Sequence, residues 1–170
     1  MRVPSFRVCF VCTGNICRSP IAEAVFRARV EEAGLGDLVT VDSAGTGGWH
    51  EGDGADRRAL AVLTENDYEL DHTAREFQPD WFDELDLVIA LDGEHLSTLR
   101  DLAPTPEDAA KVRLLRSYDP SEPDDLDVPD PYYGSMDHFH ECLEMVESAS
   151  EGLLDAVRAA VADRGVRAAV

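Results

Sequence analysis

Residues 11–20 read Val11-Cys12-Thr13-Gly14-Asn15-Ile16-Cys17-Arg18-Ser19-Pro20, and the rest of the chain is arranged around them. Upstream, Phe6-Arg7-Val8-Cys9-Phe10-Val11 is apolar and β-favouring, the length of one buried strand. Downstream, Ser19-Pro20 signals a helix start: serine caps helices, and proline tolerates the first helical position. The segment therefore reads as strand, tight glycine-containing loop and helix N-terminus. Such a loop gathers backbone N–H groups and the positive end of a helix dipole on one spot, which makes an anion site. Cys12 opens the loop and Arg18 closes it. A thiol facing N–H groups, a helix N-terminus and a guanidinium is favoured as the thiolate, its nucleophilic form. The planar fork of Arg18 suits two oxygens of a tetrahedral anion.

Working outward, Ile21, Val25 and Ala28 recur at helical spacing until Gly34-Leu35-Gly36 ends the helix. Residues 38–43 form a second strand. The five glycines within 44–54 make a long surface loop that carries Trp49 and His50. A helix over 55–65 turns Leu60 and Leu63 inward. A helical turn at 80–84 precedes the most hydrophobic strand, 85–91, which is expected to be central. A helix over 94–102 closes before Pro104, and 112–115 is the fourth strand. Residues 116–134, with four prolines and six acids, read as loop. From Met136, the run Phe139, Cys142 or Leu143, Val146, Ala149, Leu153, Val157 and Ala160 keeps one helical face apolar.

Strands alternating with helices predict an α/β fold: one domain, a four-stranded parallel β-sheet flanked by helices on both sides, with the phosphate-binding loop between the first strand and first helix. Ligands in such sheets bind beyond the strand C-termini. The expected domain covers 1–163, leaving 164–170 as a frayed tail.

With 35 acidic against 15 basic residues, the chain carries a net charge of −20. That argues against nucleic acid or an anionic membrane as partner. No apolar run approaches the ~20 residues of a membrane span. Arg7 interrupts the apolar N-terminal stretch and no cleavage-site pattern follows, so the expected location is cytoplasmic. Four cysteines in such a chain do not suggest a disulfide scaffold. Cys9, Cys12 and Cys17 have no second pair to complete a metal site, so no metal or cofactor is expected.

The stretch 11–20 resembles the signature loop of the low-molecular-weight protein tyrosine phosphatases. Supporting segments follow in that family's order: Asp42-Ser43-Ala44-Gly45-Thr46, Trp49, His72 with Ala74-Arg75, Ser117-Tyr118-Asp119-Pro120 and Asp130-Pro131-Tyr132-Tyr133-Gly134. The likeness spans about residues 6–160. It implies hydrolysis of phosphotyrosine in proteins, and of small aryl phosphates, through a phosphocysteine on Cys12. Arg18 would clamp the phosphate, and Asp130 would act as general acid and then base.

Thr13, Gly14, Asn15, Ile16 and Cys17 would offer their N–H groups to phosphate or a similar oxyanion, and Ser19 would support the Cys12 thiolate. The resemblance further implies that Asn15 shapes the loop through Ser43 and His72, and that Trp49, Tyr132 and Tyr133 wall the pocket over Ile16. Cys17 is the candidate redox partner of Cys12. Two alternatives share the fold. Arsenate reduction requires relay cysteines that 81–91 lacks, and relatives acting on phosphoarginine typically carry threonine at the position of Ile16. Asp119 and Asp92 are the rival acids, and His95, His138 and His140 read as surface residues.

Overall fold

The computed structural model describes residues 5–169, without the side chains of 166–169. Four parallel strands, β1 (Phe6–Cys12), β2 (Val39–Gly45), β3 (Leu87–Ala90) and β4 (Val112–Leu114), form one sheet in the order β2-β1-β3-β4. The crossovers carry α1 (Arg18–Glu32), α2 (Arg57–Glu65), α3 (Gly93–Leu102) and a short α4 (Pro106–Ala110), and α5 (Met136–Ala169) closes the chain. The expected helical turn near residue 80 is a 3-10 turn at Pro79–Asp83.

The two-residue period of β1 divides the core. Val8, Phe10 and Cys12 pack with Ile21, Val25 and Phe26 of α1 and with Phe139, Val146 and Leu153 of α5. Cys9 and Val11 face the opposite layer, with Phe77, Phe82 and Leu99. Both faces of β1 are covered, which is why its sequence is a nearly unbroken apolar run.

The strand order places the site. The chain leaves β1 for β2 on one side and returns to β3 on the other, so the crevice of a doubly wound sheet opens beyond the C-termini of β1 and β3. Cys12 ends β1, and Asp92 lies just past β3.

Several expectations are corrected. The first helix begins at Arg18 with Cys17 at its N-cap and no side-chain cap. Ser19 therefore lies inside the helix, and the uncapped first-turn N–H groups remain available to an anion. Its end is as expected: Gly34 at φ 74° lets Leu35 N–H reach Val30 O at 2.9 Å. In α2 the buried stripe is Ala59, Val62 and Leu63, while Leu60 stands exposed. A nine-residue helix carries too few apolar positions to set its phase by pattern alone. Helix α4 falls where no element was expected. The tail is helical as far as Ala169, and Arg164 is no frayed residue: it pairs with Asp86 at 2.6 Å and covers the Phe6 ring.

Candidate active site

The loop from Cys12 to Arg18 is held from below by a buried polar network. Asn15, fully buried at φ 58°, adopts the left-handed backbone that asparagine tolerates. Its side-chain amide donates to Ser19 Oγ at 2.8 Å and Ser43 Oγ at 3.0 Å. Its Oδ1 accepts the Arg75 backbone N–H at 3.0 Å, and its carbonyl accepts His72 Nε2–H at 2.6 Å. Ser43 donates onward to Glu23 at 2.6 Å. Every polar atom of Asn15's side chain is thus used, as a buried amide requires.

The segment after β2 braces the loop from the side. Thr46 N–H reaches Cys12 O at 2.8 Å, and Gly47 N–H reaches Thr13 O at 3.0 Å. A Cβ on Gly45 would lie 2.7 Å from Thr13 O, so only glycine permits this approach.

On this base sits the nucleophile candidate. Cys12 Sγ lies 3.0 Å from Ser19 Oγ, buried at the end of β1. Arg18, buried by its neighbours, sends Nη1 to Asp92 at 2.8 Å and to Val128 O at 2.8 Å. Asp130 stands 3.8 Å from Arg18 Nη2, with its carboxylate partly open to solvent. Asp130 Oδ1 accepts the Tyr132 N–H at 3.1 Å, which turns the loop back over the site. Arg58 anchors that loop from α2: it donates to Tyr132 O at 2.8 Å and Gly134 O at 3.0 Å, and stacks on Phe139 at 4.5 Å.

These residues enclose a cavity of about 230 Å³. The loop lines it with Cys12, Thr13, Gly14, Ile16, Cys17 and Arg18, and Trp49, His50, Asp130, Tyr132 and Tyr133 complete the lining. Tyr132 and Tyr133 meet edge to face at 4.9 Å, and Trp49 and Tyr133 are largely exposed at the mouth. Asn15, Ser19, Ser43 and His72 do not line the cavity; they lie beneath and beside the loop. Cys17 is buried, and burial pushes its thiol up. All four cysteines are free thiols. Among the described residues, no group of three or more His, Cys, Asp or Glu is placed to hold a metal, and no helix is long and apolar enough to cross a membrane.

Sequence reasoning missed part of this site. His95, expected at the surface, is 2% exposed and reaches the Thr13 hydroxyl at 2.8 Å. Burial, followed by the charge of Arg18, lowers its pKa to about 4. Asp92, expected as a rival acid, grips Arg18 and caps α3 through His95 N–H at 2.9 Å. The switch-point position after β3 is the signal that pointed there. Asp119, the other rival, is tied to Ser121 and to Ser148 of α5. Glu23 and Arg58 carried no sequence signal beyond their charge.

Comparison with known proteins accords with this geometry. A low molecular weight protein-tyrosine-phosphatase of Streptomyces coelicolor is 71% identical over 161 residues, 94% of this chain and 98% of the relative. Low molecular weight protein-tyrosine phosphatase A of Mycobacterium tuberculosis is 48% identical, covering 93% of this chain and 95% of its own. The crystal structure of a protein tyrosine phosphatase from Entamoeba histolytica superposes with a TM-score of 0.88 at 33% identity, over 92% of this chain and 99% of its own. Residues 7–163 match the family as a whole, and the chain belongs to the low molecular weight phosphotyrosine protein phosphatases.

Proposed function

We infer that this protein hydrolyses phosphotyrosine in proteins, and small aryl phosphates, through a phosphocysteine. The observation that carries the reading is the Cys12 thiol lining an aromatic-bordered cavity together with Arg18, and Asp130 3.8 Å from that arginine. The loop N–H groups and Arg18 receive the three non-bridging oxygens. Cys12 attacks phosphorus as the bond to the phenol oxygen breaks, and Asp130 protonates the departing oxygen. Asp130, now ionised, takes a proton from water as that water attacks the phosphocysteine. Phosphate forms and the Cys12 thiolate leaves, steadied by the Ser19 hydroxyl at 3.0 Å. Asn15, Ser43 and His72 act through the loop they hold. Trp49, Tyr132 and Tyr133 accept the ring of the substrate by stacking and edge contacts.

Ile16 and the tyrosine pair favour an aromatic phosphate over phosphoarginine, and nothing around Cys12 favours arsenate reduction. The chemistry requires no metal or cofactor. The partner is a tyrosine-phosphorylated protein, and with a chain charge of −20 neither nucleic acid nor an anionic membrane suits it. We place that partner and the enzyme in the cytoplasm, in signalling.

The test is release of phosphate from p-nitrophenyl phosphate and a phosphotyrosyl peptide in chelator, repeated with Cys12→Ser. Turnover by the wild type, its loss in the variant and a trapped phosphorus–sulfur adduct are expected. Undiminished turnover by Cys12→Ser would overturn the reading.

A further inference from the structure

Asp92 and His95, in the first turn after β3, grip the phosphate loop at both ends. Asp92 Oδ1 accepts the His95 backbone N–H at 2.9 Å, while Oδ2 takes Arg18 Nη1 at 2.8 Å. His95 Nε2 lies 2.8 Å from the Thr13 hydroxyl. Arg18 Nη2 stands 3.5 Å from that nitrogen and 3.4 Å from the Thr13 oxygen. Thr13, His95, Asp92 and Arg18 therefore close a ring. It ties the residue after the nucleophile to the arginine at the far end of the loop.

The hydrogen-bond inventory sets the direction of this ring. A guanidinium only donates. A ring nitrogen facing it presents a lone pair, because two N–H groups head to head repel. The Thr13 hydroxyl then donates to Nε2 and accepts from Arg18 Nη2. The ring proton is left on Nδ1, 3.2 Å from Asp92 Oδ1 and too bent for a regular hydrogen bond.

We propose that His95, as the neutral Nδ1–H tautomer, is a positioning residue of the phosphate site. Its Nε2 holds the Thr13 hydroxyl, and with it the Thr13 backbone and the Arg18 fork, in the orientation that receives a phosphoryl group. The proposal rests on the phosphomonoester reading above. The charges that face the ring are Arg18 of α1, Asp92 at its own helix cap, and Asp127 and Asp130 of the loop before α5. Burial and Arg18 keep the ring neutral down to about pH 4 against the pull of the three carboxylates. A proton on Nε2 would face Arg18 and reverse the bond to Thr13, leaving the hydroxyl as acceptor from both groups.

The test compares Thr13→Val, His95→Leu and His95→Gln, the last of which can offer an oxygen near the place of Nε2. Binding of inorganic phosphate by calorimetry is the first readout, because it is independent of turnover. His95→Leu and Thr13→Val should each weaken phosphate binding roughly tenfold, the loss expected for one well-placed hydrogen bond near a charge. The double variant should be no worse than either single one, and His95→Gln should recover most of the loss. In ¹⁵N spectra at pH 6, Nε2 should be the unprotonated nitrogen. Wild-type phosphate binding by folded His95→Leu, additive losses in the double variant, or a proton on Nε2 would each overturn the proposal. If His95→Leu fails to fold, solvent-facing Thr13→Val and the ring spectrum decide it. A wild type that binds phosphate but turns over no aryl phosphate would overturn the phosphatase reading, while the affinities would still decide the role of His95.

Discussion

In the proposed mechanism Asp130 serves first as acid and then as base, and its value depends on the group that leaves. Asp130→Asn should cut kcat by about 10²–10⁴ for phosphotyrosine and much less for aryl phosphates whose phenols leave without a proton. An equal loss across a graded series of leaving groups would show that another group is the acid. Cys17 invites a second substitution. It lies next to the Arg18 that ends the loop, and burial pushes its thiol up, which slows its attack; we propose it as the resolving thiol for an oxidised Cys12. Wild type treated with peroxide should regain activity in dithiothreitol, and Cys17→Ser should not; equal recovery would remove Cys17 from that role. At this scale the placement of residues was most legible where one short motif brings them together, as with Cys12, Arg18 and Ser19. It was least legible at His95 and Glu23. Their partners, Thr13 and Ser43, are 82 and 20 residues away, and only the folded sheet brings them together.

Among the elements, α5 shows how a fold positions a site from behind. Phe139, Val146 and Leu153 bury its apolar stripe against α1 and β1, while Ser148 reaches Asp119 at 2.9 Å. Gly152 allows the helix to settle against the turn at 115–118: a Cβ there would lie 1.7 Å from Tyr118 O. That oxygen is backbone and cannot swing aside, so Gly152→Ala must push α5 and the turn apart despite alanine's better helix propensity. Destabilisation of about 1–3 kcal/mol is expected in urea unfolding, the range of overpacked cores. A neutral or stabilising result would mean that the helix has room to move. The strands and long helices were legible because their periods run over enough residues. The five-residue α4 was not: Thr105 caps it through Asp108 N–H at 3.1 Å, and Pro106, Glu107 and Asp108 mark its first turn, but five residues are too few to show an apolar period. In α2 Leu63 faces inward as the sequence predicts, but small Ala59, not Leu60, packs beside it, for a related reason.

For the whole molecule, charge and protonation act over longer distances. His95 holds its pKa at about 4 in the fold against an ordinary 6.5. Between those values the unfolded chain binds a proton that the folded protein refuses, so this group's contribution to stability falls as pH drops from about 7 toward 4. The loss is at most about 3 kcal/mol. Urea unfolding at pH 7.5 and 4.5 should show a steeper loss for wild type than for His95→Gln, and parallel losses would refute it. The net charge of −20 sets the last expectation. A phosphate dianion must approach a strongly anionic protein to reach one positive loop. The cations nearest the site do little to offset this. Outside the loop, Arg58 is committed to Asp56, Arg75 to Asp42 and Arg27 to Glu23. Raising ionic strength from about 10 to about 150 mM shortens the screening length from ~30 to ~8 Å, which mutes the distant carboxylates before it reaches the contacts within the cavity. The kcat/KM for a small dianionic aryl phosphate should therefore rise, by about two- to threefold, as sodium chloride is added. A steady fall that persists when acetate replaces chloride would mean that the local positive field of the loop, with exposed Arg57 nearby, governs the approach of substrate more than the charge of the whole chain does.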